Sequence, residues 1–323
     1  MKYQQFLELI VDKVKSQMEE NVEVGLHHVV KNNGISLDAI VMLHEKRNTA
    51  PNIYLNTYYE QYQEGRAIDC ILSEILMVYH NSQMQPEIDL KQLEQFENIQ
   101  SNIIYRLVNY KKNENLLKDT PYIRFVDFAV IFYCLVNKDE EGIGSIRITG
   151  EMAKKWNVSS KQLMKCAQRN TPKLFPVRLT TMEELLSGLF QADMKHVLEN
   201  YEDVLEVEDI KENADHMVKQ MVESMREGRT VEMFVLTNQM GVNGASVILY
   251  PNILKEFSEL CGSNLYLLPS SIHEFIIVPK YEFIHKEELT RMVQEVNEAQ
   301  VAEEEILSDH VYEYCMEQDC ISF

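Results

Sequence analysis

Glycine and proline are scarce in this sequence, eleven and eight among 323 residues. That leaves few sites for the tight positive-φ turns on which all-β sandwiches and barrels depend, and few for low-complexity linkers. Positive charge is also short: 31 Lys and Arg stand against 51 Asp and Glu, a net charge of −20. A surface this acidic repels phosphate backbones and anionic headgroups, so neither nucleic acid nor membrane is expected as a partner. The same charge suits plain solubility, a basic protein partner or a cation. Long apolar runs are missing as well. The longest, FAVIFYCLV at residues 128–136, is far too short to span a bilayer and is rich in strand formers. The stretch MKYQQFLELIVDKVKSQ lacks the continuous apolar core of a secretory signal, so a cytoplasmic location is expected.

Cysteine is sparse and scattered, at Cys70, Cys134, Cys166, Cys261, Cys315 and Cys320. Only Cys315 and Cys320 are close, and neither a His pair nor a second Cys pair completes a zinc pattern. Free thiols in a reducing cytosol are expected. There is no P-loop, no H-E-x-x-H and no EF-hand loop, and EGIGSI lacks the third glycine of a dinucleotide fingerprint. His27 and His28 fall on a strand, where neighbouring side chains point to opposite faces and cannot chelate one ion. No metal and no cofactor is therefore expected.

What the chain does carry is the composition of an ordinary folded protein, 45% hydrophobic and 25% charged. Tyr3, Phe6, Leu7, Ile10, Val14 and Met18 recur at helical spacing. Next, VEVGLHHVV and ISLDAIVMLH read as two strands, with Asn33-Gly34 supplying the two positive-φ positions of a type I′ hairpin turn. PNIYLNTYYEQY reads as a third strand running into a loop or helix, and Ile68, Ile71, Leu72, Ile75, Leu76 and Tyr79 mark another helix. Tyr54, Tyr58, Tyr59 and Tyr62 lack interleaved cations, so they suit core and a protein interface better than nucleic acid.

Farther on, NIIYRLVNY reads as a strand, RFVDFAVIFYCLV as one longer strand, and SIRIT as its hairpin partner. Ser159 or Ser160 caps a helix carrying Leu163, Met164 and Ala167, which Pro172 and Pro176 are expected to end. Thr181 and Glu184 have capping-box spacing. In the last hundred residues VEMFVLTN, GASVILY, LYLLPSS and EFIIVP read as strands. Ile253, Leu254, Phe257 and Leu260 form one helix face, and Leu289, Met292, Val293 and Val296 another. Gly262 is the stop of the first of these helices.

The expected class is α+β, with mixed, mainly antiparallel sheets built from hairpins and packed helices. Residues 1–118 form an α-β-β-β-α unit and 119–192 a strand-pair and helix-pair unit. Residues 193–229 read as an acidic helical connection, and 230–323 as a β-β-α-β-β-α unit.

Two polar loops interrupt the C-terminal strands. LPSSIHEF gathers Ser270, Ser271, His273 and Glu274, the residue types of an acyl-transfer triad. Strand geometry divides them: His273 and Glu274 diverge, and Ser271 and His273 lie about 7 Å apart at Cα. No G-x-S-x-G surrounds the serines, so turn chemistry explains the cluster at least as well as catalysis. TNQMGVNGAS offers Asn238 and Asn243, and the two loops converge on one end of a sheet if the strands share it.

Several segments together carry a resemblance. They are KNNGISLDAIVML, PNIYLNTYYEQYQEGR, YIRFVDFAVIFYCLV, RNTPKLFP, VLTNQMGVNGASVILYP, GSNLYLLPSSIHEFIIVP and VNEAQVAEEEILSDHVY. Over nearly the whole chain the sequence resembles an uncharacterised family of clostridial, largely gut-bacterial proteins, a domain of unknown function. Residues 122–179 and the final hundred are more faintly similar to a second uncharacterised bacterial family. Neither resemblance implies an activity, a cofactor or a site residue. Three readings remain. The first is a non-enzymatic cytoplasmic protein that binds a protein partner in a regulatory or accessory role. The second is a hydrolase or small-ligand site built from Asn238, Asn243, Ser270, Ser271, His273 and Glu274. The third is an acidic, mobile-element-associated factor.

Overall fold

The structure, a computed structural model, describes residues 1–83, 90–139, 142–185 and 232–323. The acidic segment 193–229 lies outside the described residues. The chain divides into two compact units, residues 1–100 with 135–145 and residues 101–134 with 146–323. Antiparallel strands and packed helices make the fold α+β.

In the first unit, α1 (Tyr3–Gln17) turns Phe6, Leu7, Ile10 and Val14 inward, as their spacing requires. β1 (Val22–Val30) and β2 (Ser36–His44) pair in the register Val30↔Ser36. Asn33 (φ 59°) and Gly34 (φ 75°) take the predicted positive φ, but the connection is a five-residue loop, 31–35, with a 3-10 turn and not a two-residue type I′ turn. β3 (Ile53–Tyr54) joins β2 and runs at once into α2 (Leu55–Gln63), followed by α3 (Ile68–Gln83). Ile40 and Met42 of β2 meet Phe6, Ile10, Ile71 and Ile75 in one apolar cluster, against which Tyr58, Tyr59 and Tyr62 pack. Each such buried side chain stabilises by about 1.5–3 kcal/mol. The surface pair Lys13–Asp69, with side chains 39% and 85% exposed, contributes under about 1 kcal/mol, so apolar contact holds α1 on α3. Asp38 adds a polar junction: it accepts from the Tyr3 hydroxyl at 2.9 Å, and its N–H donates to Asn56 Oδ1 at 2.9 Å. Burial, then Asp38, pushes the Tyr3 phenol well above its ordinary range. A short 3-10 turn (Leu90–Glu94) and α4 (Phe96–Ile99) follow.

In the second unit β4 (Ile103–Asn109), α5 (Glu114–Leu117), β5 (Tyr122–Phe125) and the first half of β6 (Phe128–Asp139) come first; β6 from Leu135 and β7 (Gly142–Arg147) up to Ser145 are counted with the first unit. Their sheet has the order β4-β6-β5, with β7 also on β6 as predicted for its hairpin partner. The single strand expected over RFVDFAVIFYCLV is instead two, folded back at Val126 and Asp127 with Phe125 opposite Phe128. Val126 takes φ 54°, an uncommon conformation for a β-branched residue. Asp127 explains why the chain turns there. Its carbonyl accepts the Tyr110 N–H at 2.9 Å, and its Oδ1 accepts the buried Tyr312 hydroxyl at 2.5 Å. Ser308 Oγ lies 2.6 Å from that hydroxyl and donates to Asp127 Oδ2 at 3.3 Å. Burial, then the Asp127 bond, drives the Tyr312 phenol far above its usual range.

After α6 (Gly150–Lys155), α7 (Ser160–Leu174) opens on a capping box between Ser159 and Gln162. The helix runs through Pro172 and ends at Leu174, just ahead of Pro176 as predicted. Thr171, the residue that proline disfavours, is held in the helix by burial and by the Tyr105 N–H, which donates to its Oγ1 at 3.2 Å. Asn170 Nδ2 donates to Ile103 O at 3.0 Å, so α7 side chains cover the free edge of β4.

A second sheet has six strands, ordered β13-β12-β10-β11-β9-β8. They are β8 (Val177–Thr181), β9 (Phe234–Asn238), β10 (Leu265–Pro269), β11 (Phe275–Pro279), β12 (Tyr312–Cys315) and β13 (Cys320–Ser322). Beyond β8 and before β9, the Met182 N–H donates to Met233 O at 2.9 Å, and Thr181 and Glu184 exchange both bonds of the predicted capping box. GASVILY, expected as a strand, is a buried 3-10 helix (Gly244–Leu249). β9 is paired on one side with β11 and on the other with β8, so no edge is left for it. The Tyr250 hydroxyl fastens the end of this helix by donating to Phe175 O at 2.7 Å.

α8 (Ile253–Cys261) stops at Gly262 (φ 64°) as predicted, but Leu260 is 84% exposed. At 100° per residue it sits about 240° around the helix from buried Leu254. In α9 (Lys286–Ala299) Leu289, Val293 and Asn297 face inward, and Met292 is exposed. Phe128 packs on Phe275 and Tyr312 at centroid distances of 6.2 and 5.0 Å, joining the two sheets of this unit.

Trp156, the only tryptophan, lies in the second unit, so its fluorescence follows urea unfolding of that unit. Tyr312→Phe removes one of the two hydroxyl bonds to the Asp127 carboxylate and is expected to cost about 1–3 kcal/mol, seen as a lower midpoint at unchanged slope. A change within a few tenths of a kcal/mol would show that the turn at Asp127 holds without this bond.

Candidate functional site

The two polar loops meet at one end of the six-stranded sheet, because β9 and β11 are neighbours and present residues 239–243 and 271–274 side by side. Gly244 makes the approach close. A Cβ there would fall 2.1 Å from Thr237 Oγ1, 2.5 Å from His273 O and 2.8 Å from the Asn238 nitrogen. Only a residue without a side chain fits. Thr237 Oγ donates to His273 O at 2.8 Å, and Ala245 N–H donates to Ile272 O at 3.2 Å.

His273 is the centre of the arrangement. The Asn243 backbone N–H donates to its Nδ1 at 3.1 Å. A backbone N–H has no other role than donor, so Nδ1 accepts and the ring proton sits on Nε2. Nε2 lies 3.3 Å from Glu305 Oε1 and donates to it. The same segment is tied by backbone as well, since Ile272 N–H donates to Glu305 O at 2.8 Å. The imidazole side chain is 27% exposed and the Glu305 side chain 43% exposed, so this is a half-buried, partly wetted pair.

The other predicted residues are placed as follows. Asn238 is buried and shapes its own loop: Nδ2 donates to Val242 O at 2.9 Å and Oδ1 accepts the Met240 N–H at 2.9 Å. Asn243 holds φ 51°, and its carbonyl accepts the Ser246 hydroxyl at 2.9 Å. Ser271 Oγ accepts the His273 N–H at 3.0 Å, a local side-chain-to-backbone turn. Ser270 Oγ donates to Glu274 Oε1 at 3.3 Å. Thus His273 is oriented by Glu305, not Glu274, and both ring nitrogens are engaged away from the two serine hydroxyls. A nucleophilic serine needs a ring nitrogen free to take its proton, and in this geometry neither is. What the bonds do is lock one loop to the other and both to residue 305.

Glu305, Thr237 and Gly244 are the members that sequence reasoning missed. Asn243-Gly244 reads as a turn from sequence, but the crowding around Gly244 depends on β11 lying beside β9. Glu305 sits among Glu303 and Glu304 with nothing local to single it out. His27 and His28 separate as predicted: His28 Nδ1 lies 3.1 Å from Asp38 Oδ1, and the His27 ring lies over Gly25. Among the described residues no group of three or more His, Cys, Asp or Glu is placed to hold a metal ion. An open depression of about 510 Å³ in the first unit, lined by Met1, Tyr62, Gln63, Gly65 and Arg66, contains none of the predicted site residues.

Two glycines in one loop separate close approach from backbone strain. Gly241 also has positive φ (66°), but a Cβ there meets nothing within 4 Å. Gly241→Ala is expected to cost about 1–2 kcal/mol, and Gly244→Ala about 3 kcal/mol or more. Both are read from the Trp156 urea transition, and equal losses at the two positions would refute the close packing of the loops.

No described helix is long and apolar enough to cross a membrane. No curated protein and no solved structure matches the chain. A family model does match, over residues 3–316. Its description is a family of unknown function, and by that match the chain belongs to the family DUF5688.

Proposed function

We propose that this chain is a non-enzymatic cytoplasmic protein of a clostridial bacterium that binds a protein partner in a regulatory or accessory role. The observation that carries the reading is a pair of stacked aromatic rings left in solvent. Tyr281 and Phe283 are 37% and 56% exposed, with centroids 5.7 Å apart and planes 13° from parallel. They sit in the connection between β11 and α9. The Ile284 N–H donates to Tyr281 O at 3.1 Å, and Ile284 itself is buried, so the pair is presented on an anchored turn. Lys280 begins that connection with an ion pair to Glu313 at 2.6 Å, and this bond holds its ammonium above the ordinary lysine range. Rigid exposed aromatics are typical anchors of protein interfaces. Glu282, Glu287 and Glu288 lie alongside in sequence, and the chain carries a net charge of −20. A partner with basic residues around an apolar centre suits this face.

The convergence of the loops at His273 favours a second reading, a small-ligand or hydrolytic site. It requires ester hydrolysis or ligand binding that Ser271→Ala and His273→Gln both abolish.

The main reading is tested by affinity capture from the source bacterium's lysate, with the wild-type chain and Tyr281→Ala/Phe283→Ala as baits. A reproducible partner is expected on the wild type, weakened at least about tenfold on the variant and weakened further by added salt. Absence of any reproducible partner, or equal capture by both baits, counts against it.

A further inference from the structure

Cys315 and Cys320 face each other directly across the β12–β13 hairpin, as the last pair before the four-residue turn 316–319. Both are free thiols; Cys320 is exposed and Cys315 half-buried. Directly opposed residues of an antiparallel pair share a face, with Cα atoms about 4.5 or 5.5 Å apart depending on the hydrogen-bonding site. Either spacing lies inside the roughly 4.4–6.8 Å span of a disulfide. Their Cβ atoms start about 4.5–5.5 Å apart, and a disulfide brings such atoms to about 3.5–4.5 Å. Between the centres of these ranges, closure needs a movement of about 1 Å. Among the described residues β13 is the outermost strand of its sheet, so that movement disturbs no described strand beyond it. The turn is already formed: the Tyr314 hydroxyl donates to Asp319 Oδ1 at 2.7 Å, and the Met316 N–H donates to Asn264 Oδ1 at 3.0 Å.

We propose that Cys315 and Cys320 are a reversible dithiol–disulfide pair, closed by a small disulfide such as oxidised glutathione. The exposed Cys320 thiolate attacks one glutathione sulfur, the glutathione S–S bond breaks, and the departing thiolate takes up the proton that Cys320 released. The Cys315 thiolate then attacks Cys320 Sγ and displaces the second glutathione, which takes up the Cys315 proton. Two cysteine thiols are oxidised to one cystine, and one glutathione disulfide is reduced to two glutathione thiols. An exposed, slightly drawn-in bridge of this kind is readily reduced again, the mark of a switch and not of a structural staple. Its effect is local. It ties the terminal strand covalently to β12, with Phe323 packed 5.6 Å from His310 and 5.4 Å from Tyr312.

The remaining cysteines give internal controls. Cys70 is exposed, and Cys134 is buried with its thiol pushed up to about 11 by that burial. Trypsin releases residues 292–323 as one peptide holding both Cys315 and Cys320 and no other cysteine. The intact native protein is equilibrated in glutathione buffers of rising oxidised fraction, quenched with acid, alkylated, digested and weighed. The expected product is a 292–323 peptide lighter by two hydrogen atoms, with both alkylation sites lost together and restored by dithiothreitol. Cys70 under the same buffer carries glutathione as a mixed disulfide. In Cys315→Ser, Cys320 is expected to keep its glutathione, because the resolving thiol is gone. The proposal is overturned if wild-type Cys315 and Cys320 stay alkylatable, or retain glutathione, in the buffer that modifies Cys70.

Discussion

The second unit hangs on a buried phenol and a carboxylate. Tyr312 has no exposed surface, and its hydroxyl reaches Asp127 across 185 residues of sequence. A phenol taken out of water needs a partner, and an ionised carboxylate is the stronger kind. That requirement explains features that look unrelated along the chain. It accounts for the turn at a valine with positive φ, since Asp127 has to be presented from a tight corner. It accounts for the path of residues 307–312, pinned further by Asn109 Nδ2 on Leu307 O (3.0 Å) and Asn297 Nδ2 on Ser308 O (3.0 Å). It also seats Phe128 between Phe275 and Tyr312, the aromatic contact joining the two sheets of the unit.

The loop junction at His273 follows the same economy of polar groups. Thr237, Asn243, Ser271 and Glu305 each spend a hydrogen-bonding group on that one residue. The imidazole serves as a strut between β9's loop and the segment ahead of β12, and its two nitrogens are matched to one donor and one acceptor. Residue types that resemble a triad in sequence are here assembled as a brace. The likeness is one of composition, and geometry decides between the two.

Much of the fold was legible because it is local. The 3.6-residue spacing placed the inward faces of α1 and α3, Asn33-Gly34 placed its turn, and Ser159 and Thr181 placed two helix starts. What escaped is set by distant neighbours. GASVILY has the side chains of a strand, but β8 and β11 already occupy both edges of β9. RFVDFAVIFYCLV breaks at Asp127 because of a tyrosine 185 positions away. Thr171 tolerates its following proline because β4 supplies it with a bond. At the candidate site, the convergence of the two loops was legible only on the condition that their strands share a sheet, as β9 and β11 do, and Glu305 was not legible, since three consecutive glutamates give periodicity no way to choose among them.

The bond from the Met182 N–H to Met233 O has a consequence for how this chain tolerates change. β8 and β9 are adjacent antiparallel strands, so Met182 and Met233 stand as two posts just beyond their last pair, Thr181 and Phe234. Ring closure across such a gate depends only logarithmically on what is threaded between its posts, about 0.6 kcal/mol for each doubling of length. A change in the spacing between the posts therefore weighs on the β8–β9 pairing only weakly through closure entropy.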